Sequence, residues 1–331
     1  MDMAELDRIA QHGLRGEFRH NEPMSKHVSW RAGGTADRAY FPRDLEDLAR
    51  FVRTIPRDEP VYFVGLGSNL LVRDGGLRGT VVFTHPAVSA LRIEAQAASV
   101  PALIYAECGV ASPKVARFAA NHDLRGAEFL AGIPGTIGGA LVMNAGCFGS
   151  ETWDVIDSVV CLRRGGDLVT RRPSEFTVAY RHVELRTDSD ATPNALNATA
   201  EHTMQLSPHR DEWFAGARLR FYPGDGAEAR RVIRGLLQRR IDTQPLNQPN
   251  AGSVFRNPSG EFAARLIESC GMKGLTIGGA VVSPKHANFI VNAGAATAAD
   301  IERLIERIRQ TVWDRCGVQL EPEVRIIGER V

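Results

Sequence analysis

The stretch GIPGTIGGALVMNAG, from Gly132 to Gly146, is the most unusual segment of this 331-residue chain. Seven of its residues are glycine or alanine, and residues this small let a ligand's pyrophosphate or another backbone segment approach closely. A nucleotide-binding loop is the favoured interpretation. The alternative is a close crossing of strands without a ligand, because glycine indicates only that space is short.

A second glycine-containing turn precedes this loop, within VYFVGLGSNLLV from Val61 to Val72. The pattern predicts a short buried strand, a Gly-Ser-Asn turn and a second apolar run. The segment Gly65–Asn69 contains GxG without the GxGxxG spacing, and no helix start follows, which disfavours a classical dinucleotide fold. Two interpretations stay open: a phosphate cradle made by backbone N–H groups with Ser68 and Asn69, and a tight turn.

Apolar periodicity elsewhere predicts helices between strand-like segments, so the fold class is mixed α/β (α+β). One helix is expected from Pro113 to Asn121 and another from Ala227 to Arg240. The apolar face of the latter consists of Ala229, Val232, Ile233, Leu236 and Leu237. Thr297 is the predicted N-cap of a last helix that ends at Gly317. Its apolar face consists of Ile301, Leu304, Ile305, Ile308 and Val312. A strand-like segment, LEPEVRIIG, follows.

Length, charge and cysteine content limit which functions and cellular settings are possible. A chain of 331 residues exceeds what one hydrophobic core organises, so we expect two or three domains. Forty Lys and Arg against 39 Asp and Glu give a net charge of +1, which offers no long-range attraction to nucleic acid or a membrane surface. No apolar run is long enough to span a membrane. Five scattered cysteines without a CxxC spacing fit a reduced cytoplasmic setting.

Polar residues in three segments are candidates for chemistry. PNAGSVFRNPSG, from Pro249 to Gly260, is a loop bracketed by prolines that contains Ser253. Ser253 lacks the GxSxG elbow of an acyl-transfer nucleophile, which leaves a proton donor or a turn cap. Arg181 lies in AYRH, while Glu321 and Glu323 flank a proline; taken alone, all three suggest surface salt bridges.

Histidine and cysteine residues show no metal-binding pattern. HxH, HExxH and Cys/His clusters are absent, so we expect no protein-bound metal. His286 in SPKHANFIVN precedes an apolar strand, and a lone histidine of this kind is more often structural, so it is assigned no role. The stretch from Arg186 to Thr203 is polar and turn-forming, which predicts an exposed loop.

Six strings together resemble one enzyme family in their order and spacing. They are GLGSNLLVRDGG, GIPGTIGGALVMNAGCFG, YRH, QPLNQPNAGSVFRNP, GMKGLTIGGAVVSPKHANFIVN and LEPEVRIIG. They resemble UDP-N-acetylenolpyruvoylglucosamine reductase, the MurB family, from about Trp30 to Gly328. The AGS spacing before Ser253 and the EPEVR end resemble the shorter, type II members.

This resemblance implies a flavin enzyme of peptidoglycan synthesis. It implies non-covalent FAD, NADPH as co-substrate, and reduction of UDP-N-acetylglucosamine enolpyruvate to UDP-N-acetylmuramate. Two N-terminal α/β FAD-binding subdomains, 1–88 and 89–224, would precede a C-terminal α/β substrate-binding domain, 225–331, whose last strand returns to the active site. We expect a cytoplasmic monomer that binds a small UDP-sugar.

The resemblance also assigns individual residues. The implied cofactor-binding residues are Gly65, Gly67, Ser68, Asn69, Gly132, Pro134, Gly135, Gly138, Gly139, Asn144, Ala145 and Gly146. The implied substrate-binding residues are Tyr180, Arg240, Gln244, Arg256 and Asn257. Ser253 resembles the serine that protonates the substrate, and Arg181 and Glu323 resemble the residues that polarise its carboxylate. Hydride addition leaves negative charge beside that carboxylate, which explains the need for a cation and a proton donor.

Two residues depart from the pattern of the family that the chain resembles. Val183 follows YRH where many relatives have serine, and Arg256 stands where lysine is frequent.

Three other functions are the alternatives to this interpretation. Another oxidoreductase on the FAD fold would not need PNAGSVFRNP or the EPEVR tail. A flavin-binding sensor without turnover would be expected to lose Ser253, Arg181 or Glu323. A UDP-sugar transferase would need no flavin, so an absorption spectrum would distinguish it.

Overall fold

A computed structural model describes residues 13–97, 100–186 and 211–331 of the chain. The helices are α1 (Leu45–Thr54), α2 (Ser112–Asn121), α3 (Ile137–Val142), α4 (Gly226–Thr243), α5 (Ala263–Ser269) and α6 (Ala298–Cys316). The strands are β1 (Glu17–Pro23), β2 (Thr35–Phe41), β3 (Val61–Val64), β4 (Leu70–Val72), β5 (Leu77–Phe83), β6 (Leu91–Ala97), β7 (Val100–Glu107), β8 (Leu124–Arg125), β9 (Gly146–Cys147), β10 (Ser150–Glu151), β11 (Ile156–Arg163), β12 (Leu168–Arg171), β13 (Phe176–Ala179), β14 (His182–Leu185), β15 (Glu212–Pro223), β16 (Thr276–Ile277), β17 (Ala280–Val282), β18 (Ile290–Asn292) and β19 (Arg325–Ile327). The mixed α/β class expected from the sequence is confirmed. Beyond Arg186, the predicted polar loop lies outside the described residues.

The described chain divides into two compact units. Unit 1 comprises the residues up to His20 together with Arg38–Leu66 and Gly79–Leu237. Unit 2 comprises Asn21–Asp37, Gly67–Arg78 and Gln238–Val331. The three-domain division expected from the sequence, with boundaries at residues 88 and 224, stays a prediction.

Unit 1 is built on an antiparallel sheet with strand order β12-β11-β15-β7-β6. The long strand β15 pairs with β11 along one side and with β7 along the other. Its residues alternate between two hydrophobic cores: Phe214 packs in one with α2 and α3, while Trp213 and Ala215 pack in the other with α1. This alternation follows from the two-residue period of a strand and explains why β15 is buried along most of its length.

Unit 2 contains the three-stranded sheet β16-β17-β18, the helices α5 and α6, and the parallel pair β4-β19. The Thr297 side chain accepts the Asp300 N–H, and Gly317 ends α6 with a φ of 65°. All five residues predicted for the apolar face of α6 are buried, so this helix prediction is confirmed. Leu70 pairs with Arg325, so the last strand lies beside the strand that follows the GLGSN turn.

Other local predictions were confirmed in part. Strands β3 and β4 and helix α2 occur where the sequence indicated. Helix α4 is longer than expected and its buried face is narrower, because Ala229 and Ile233 are buried while Val232 is exposed. In the part of the chain that the structure describes, no helix combines the length and hydropathy needed to cross a membrane.

Candidate active site

The glycine-rich loop Gly132–Gly146 lies in unit 1, and close packing requires several of its glycines. A Cβ on Gly132 would clash with Cys147 Sγ, and one on Gly138 would lie only 2.9 Å from Cys108 Cβ. Real Cβ atoms do not approach other atoms this closely. These positions therefore exclude larger residues whether or not a ligand binds.

Gly139 differs from these tightly packed glycines. It is exposed, and an added Cβ would meet no atom closer than Thr136 Oγ1, at 3.9 Å. Nearby, Pro134 is exposed and Gly135 is half-buried, so this part of the loop presents backbone without a charged side chain. Internal packing does not account for glycine at position 139, whereas close approach of a ligand does. The loop therefore fits a flavin nucleotide.

The end of the same loop is held by hydrogen bonds. The Ala145 carbonyl accepts the Thr152 N–H at 3.0 Å and the Thr152 hydroxyl at 2.7 Å. Gly146 pairs with Glu151 across the β9-β10 ladder. These contacts fix the backbone of the loop, while a direct role of Ala145 and Gly146 in cofactor binding stays a prediction.

The GLGSN turn is divided between the two units, with Gly65 in unit 1 and Gly67–Asn69 in unit 2. A Cβ on Gly65 would clash with the Thr136 side chain, so this turn packs against the glycine-rich loop. Gly67 has a φ of 58°, and its Cβ would clash with the His27 carbonyl. Packing against Thr136 therefore accounts for Gly65, and the left-handed turn beside His27 accounts for Gly67. The phosphate-binding role of the turn stays a prediction.

Arg181 is attached to the glycine-rich loop through Asn144. The buried Asn144 side chain donates to Glu151 Oε2 at 2.7 Å and accepts the Trp153 N–H at 3.2 Å. Its carbonyl accepts a hydrogen bond from Arg181 Nη1 at 3.3 Å. Arg181 occupies the turn of the β13-β14 hairpin with a φ of 57°, a left-handed conformation that is costly for a residue other than glycine. Its guanidinium carbon lies 5.2 Å from the ring centroid of Tyr180.

Val183 follows YRH, at a position where the family resemblance leads us to expect serine. It is buried in the core of unit 1, in β14 opposite Val178. A serine here would be withdrawn from water, whereas valine adds apolar contact to the hairpin that presents Arg181.

Ser253 lies in unit 2, in a loop whose backbone is fixed on both sides. Before it, Asn250 Oδ1 accepts the Gly252 N–H at 2.9 Å, and Gly252 has a φ of 77°. After it, the Val254 carbonyl accepts the Glu323 N–H at 2.7 Å. A backbone hydrogen bond thus joins the segment that contains Ser253 to the segment that contains Glu323.

Asn288 is a residue that the sequence analysis missed. Its buried amide accepts the Phe255 N–H and donates to the Phe255 carbonyl, both at 2.9 Å, and its own carbonyl accepts the Val254 N–H at 2.9 Å. His286 Nδ1 accepts the Asn288 N–H at 3.3 Å, and burial lowers the pKa of His286. An asparagine inside the apolar segment ANFIVN was the available signal, since a buried amide must be hydrogen-bonded.

The two glutamates that flank Pro322 differ in exposure. The Glu321 side chain is 72% exposed and lies 3.9 Å from Arg256 Nη1, whereas Glu323 is half-buried. Asn69 Nδ2 donates to the Glu323 carbonyl at 3.1 Å, and the Asn69 carbonyl accepts the Arg325 N–H at 3.0 Å. Asn69, predicted to bind flavin, therefore positions the backbone at Glu323.

Cationic side chains also occur in unit 2. Burial, reinforced by the positive charge of Arg256, lowers the pKa of Arg325, a residue that the sequence analysis did not select. At the end of α4, Arg240 Nε donates to Gln244 Oε1 at 3.1 Å, and Lys285 Nζ donates to the Ile241 carbonyl at 2.6 Å.

The other predicted polar residues of unit 2 lie at turns. Asn257 Oδ1 accepts the N–H of Ala263, the first residue of α5, at 3.1 Å. Ser68 is half-buried in the GLGSN turn. Among the described residues, no group of three or more His, Cys, Asp and Glu side chains is arranged to hold a metal ion.

Comparisons with known proteins match both parts of the chain. Residues 36–171 match the family model of an FAD binding domain, and residues 244–327 match that of the UDP-N-acetylenolpyruvoylglucosamine reductase C-terminal domain. The UDP-N-acetylenolpyruvoylglucosamine reductase of Thiobacillus denitrificans is 56% identical over 325 residues, which covers 96% of this chain and 94% of that protein. The reductase of the same name from Methylococcus capsulatus is 53% identical over 315 residues, with 95% and 94% covered.

A solved structure is also similar to this chain along nearly its whole length. The crystal structure of UDP-N-acetylenolpyruvylglucosamine reductase (MurB) from Thermus caldophilus aligns with a TM-score of 0.71 at 27% identity, covering 95% of this chain and 99% of that one. Identity above 50% along nearly the whole chain, together with both domain matches, leaves no other assignment. The chain belongs to the UDP-N-acetylenolpyruvoylglucosamine reductase family.

Proposed function

We propose that this chain reduces the enolpyruvyl ether of UDP-N-acetylglucosamine to UDP-N-acetylmuramate, with FAD as cofactor and NADPH as reductant, in peptidoglycan synthesis. Support comes from the FAD-binding domain match and from the activity named for its relatives. We also propose that it acts in the cytoplasm, as a monomer.

The observation that carries this proposal is the pairing of the Ser253 loop with the segment that contains Glu323. Reduction of an enol ether needs hydride at one carbon and a proton at the next, so a donor must be held in place. The hydrogen bond from the Glu323 N–H to the Val254 carbonyl and the contacts of Asn288 hold the backbone on both sides of this loop. Ser253 donates the proton, and Glu323 hydrogen-bonds the substrate carboxylate.

Arg181 stabilises the negative charge that develops beside that carboxylate. Its guanidinium is a planar cation with several N–H donors, so it is suited to a developing anion. The left-handed turn fixes the backbone at Arg181, and the hydrogen bond from Nη1 to the Asn144 carbonyl holds the guanidinium.

The cofactor is held by the exposed part of the glycine-rich loop. Backbone atoms at Pro134, Gly135 and Gly139 would hold the flavin nucleotide, and Gly132 and Gly138 let the loop pack closely against its neighbours. FAD bound there would supply the hydride-transfer chemistry between NADPH and the vinyl carbon of the substrate. The diphosphate of the substrate's UDP group binds the cationic residues of unit 2, among them Arg240, Arg256 and Arg325.

Stopped-flow absorbance tests this function. Purified protein is mixed with NADPH and then with UDP-N-acetylglucosamine enolpyruvate, and the flavin band is followed. We expect bleaching by NADPH and rapid recovery on addition of substrate. Bleaching without recovery would indicate another flavin oxidoreductase, and protein without any flavin band, even after incubation with FAD, would contradict the proposal.

A further inference from the structure

Two cysteines of unit 2 lie side by side, and neither is among the residues assigned to the reaction. Cys270 follows α5 directly and Cys316 is the last residue of α6, and their Sγ atoms are 3.7 Å apart. Both helices contribute to the unit 2 core, where Ile267 and Val312 are buried. The approach of the two thiols is therefore set by the packing of the helices that carry them.

The two thiols have different environments. Cys316 is exposed, whereas Cys270 is buried. Burial and the hydrogen bond with Cys316 raise the pKa of the Cys270 thiol. Arg315 Nη1 donates to the Cys270 carbonyl at 3.0 Å, which ties the end of α6 to the residue after α5. An oxidant in solution therefore meets Cys316 first, with Cys270 held in contact behind it.

We propose that Cys270 and Cys316 form a reversible intramolecular disulfide in response to two-electron oxidants of the peroxide class. The Cys316 thiolate attacks hydrogen peroxide, the O–O bond breaks, and the products are a sulfenic acid and hydroxide. The Cys270 sulfur then attacks the Cys316 sulfur, the S–O bond breaks, and hydroxide leaves and takes up the Cys270 proton as water. In total, two thiols lose two protons and two electrons, and one peroxide becomes two waters.

This disulfide would close a span of 46 residues that includes β16, β17, β18 and α6. Bond formation requires the two sulfurs to approach from 3.7 Å to about 2 Å. Because a cross-link over such a span restricts the unfolded chain, oxidation is expected to raise the unfolding temperature by roughly 5–10 °C.

Peptide mapping of the full chain tests the proposal. The protein is treated with hydrogen peroxide, its remaining thiols are alkylated, and it is digested with trypsin without reductant. Trypsin releases Cys270 in LIESCGMK and Cys316 in CGVQLEPEVR. We expect the two peptides joined, about 2 Da below the sum of their masses, with or without one oxygen on Met272, and separated again by dithiothreitol.

Two variants distinguish this outcome from unspecific oxidation. Cys316→Ser, at an exposed position, should abolish both the joined peptide and the rise in unfolding temperature. Cys147→Ser, a partly exposed cysteine of unit 1, should leave both unchanged. Sulfinic or sulfonic acid on Cys316 without the joined peptide would overturn the proposal. So would a cross-link that joins two chains on a non-reducing gel, or no reaction at all.

Discussion

Asn288 shows how one buried side chain positions a candidate catalytic residue that lies far from it in the sequence. Its amide forms two hydrogen bonds with Phe255, and its carbonyl forms a third with Val254, the residue after Ser253. A loop with a glycine at position 252 and prolines at both ends has little regular structure of its own. Its backbone is fixed by groups from other segments.

Ser253→Ala tests the proposed proton donor. NADPH should still reduce the flavin at the normal rate, while reoxidation by substrate should slow by about 10²–10⁴-fold, because only the second half-reaction needs the proton. Rapid-mixing absorbance measures the two steps separately. Ser259→Ala, at an exposed serine of the same loop, is the matched control and should behave as wild type. Unchanged reoxidation in Ser253→Ala would refute the assignment.

Asn288→Asp tests the positioning role of the buried amide. The substitution keeps the size but places a carboxylate oxygen against the Phe255 carbonyl, so we expect the free energy of unfolding to fall by about 2–3 kcal/mol. Reoxidation by substrate should slow more than flavin reduction. Urea unfolding and stopped-flow kinetics measure these effects. Asn247→Asp, at an exposed position, is the control, and equal stability of the two variants would argue against the role.

Gly139→Leu tests the glycine whose small size is not explained by internal packing. An added Cβ has room, so the protein should fold, but the side chain should obstruct the flavin nucleotide. We expect FAD affinity to fall at least about tenfold, equivalent to about 1.4 kcal/mol, in a titration followed by fluorescence. Gly235→Leu, at an exposed helical glycine with nothing within 4 Å of an added Cβ, should bind FAD normally. Normal FAD binding by Gly139→Leu would exclude Gly139 from the cofactor site.

Among the elements, α6 has the best-defined ends. Its N-terminus is capped twice: Thr297 and Asp300 exchange hydrogen bonds, and the Asp74 carboxylate accepts the N–H groups of Ala298 and Ala299 at 3.0 and 2.9 Å. Four of the N–H groups in the first turn of a helix have no partner within the helix, so such caps stabilise it. The helix is followed by the segment that leads to Glu323.

The cap at Asp300 should make stability depend on pH. The Thr297 N–H, and after it the Thr297 hydroxyl and Arg303, hold the pKa of Asp300 below its ordinary value of 3.8. The stabilisation is therefore complete above that value and is lost as pH falls through the lowered pKa. Asp300→Asn should reduce the free energy of unfolding by about 1 kcal/mol at pH 7.

Urea unfolding of wild type and Asp300→Asn from neutral pH to about pH 3 measures this difference. The difference between the two proteins should become smaller toward the acid end. Asp314→Asn, near the C-terminal end of the same helix, should not reproduce the loss. A constant difference at every pH would show that the charge of Asp300 does not contribute.

Across the whole molecule, the residues assigned to the reaction come from both compact units. Arg181 and the glycine-rich loop belong to unit 1, whereas Ser253, Glu323 and the cationic residues Arg256 and Arg325 belong to unit 2. The FAD-binding match covers residues 36–171, most of which belong to unit 1, and the reductase C-terminal match covers residues 244–327, all of which belong to unit 2. Binding of FAD is therefore expected to stabilise unit 1.

Removal of FAD should lower the unfolding temperature of the protein. A ligand at about 100 times its Kd adds about 2.7 kcal/mol to the folded state, which corresponds to several degrees for a unit of this size. Differential scanning calorimetry before and after flavin removal, and after FAD is restored, measures the shift. Gly139→Leu should show little response to added FAD. An identical response in both proteins would mean that FAD binds without contact to this loop.

Much of the fold could be predicted because it is encoded locally. Apolar spacing and the Thr297 and Gly317 caps were sufficient for α6, and the apolar runs around the GLGSN turn were sufficient for β3 and β4. Such signals depend on residues within a few positions of one another. The six motif strings likewise identified the family.

The sequence alone therefore determined the fold class, the principal helices and the family, since periodicity, caps and motifs are properties of neighbouring residues. Only the tertiary structure decided that Asn288 holds the Ser253 loop, that Asn144 anchors Arg181, and that Cys270 meets Cys316. Each of these contacts joins different segments of the chain. Their partners depend on how the strands and helices pack, which no local pattern specifies.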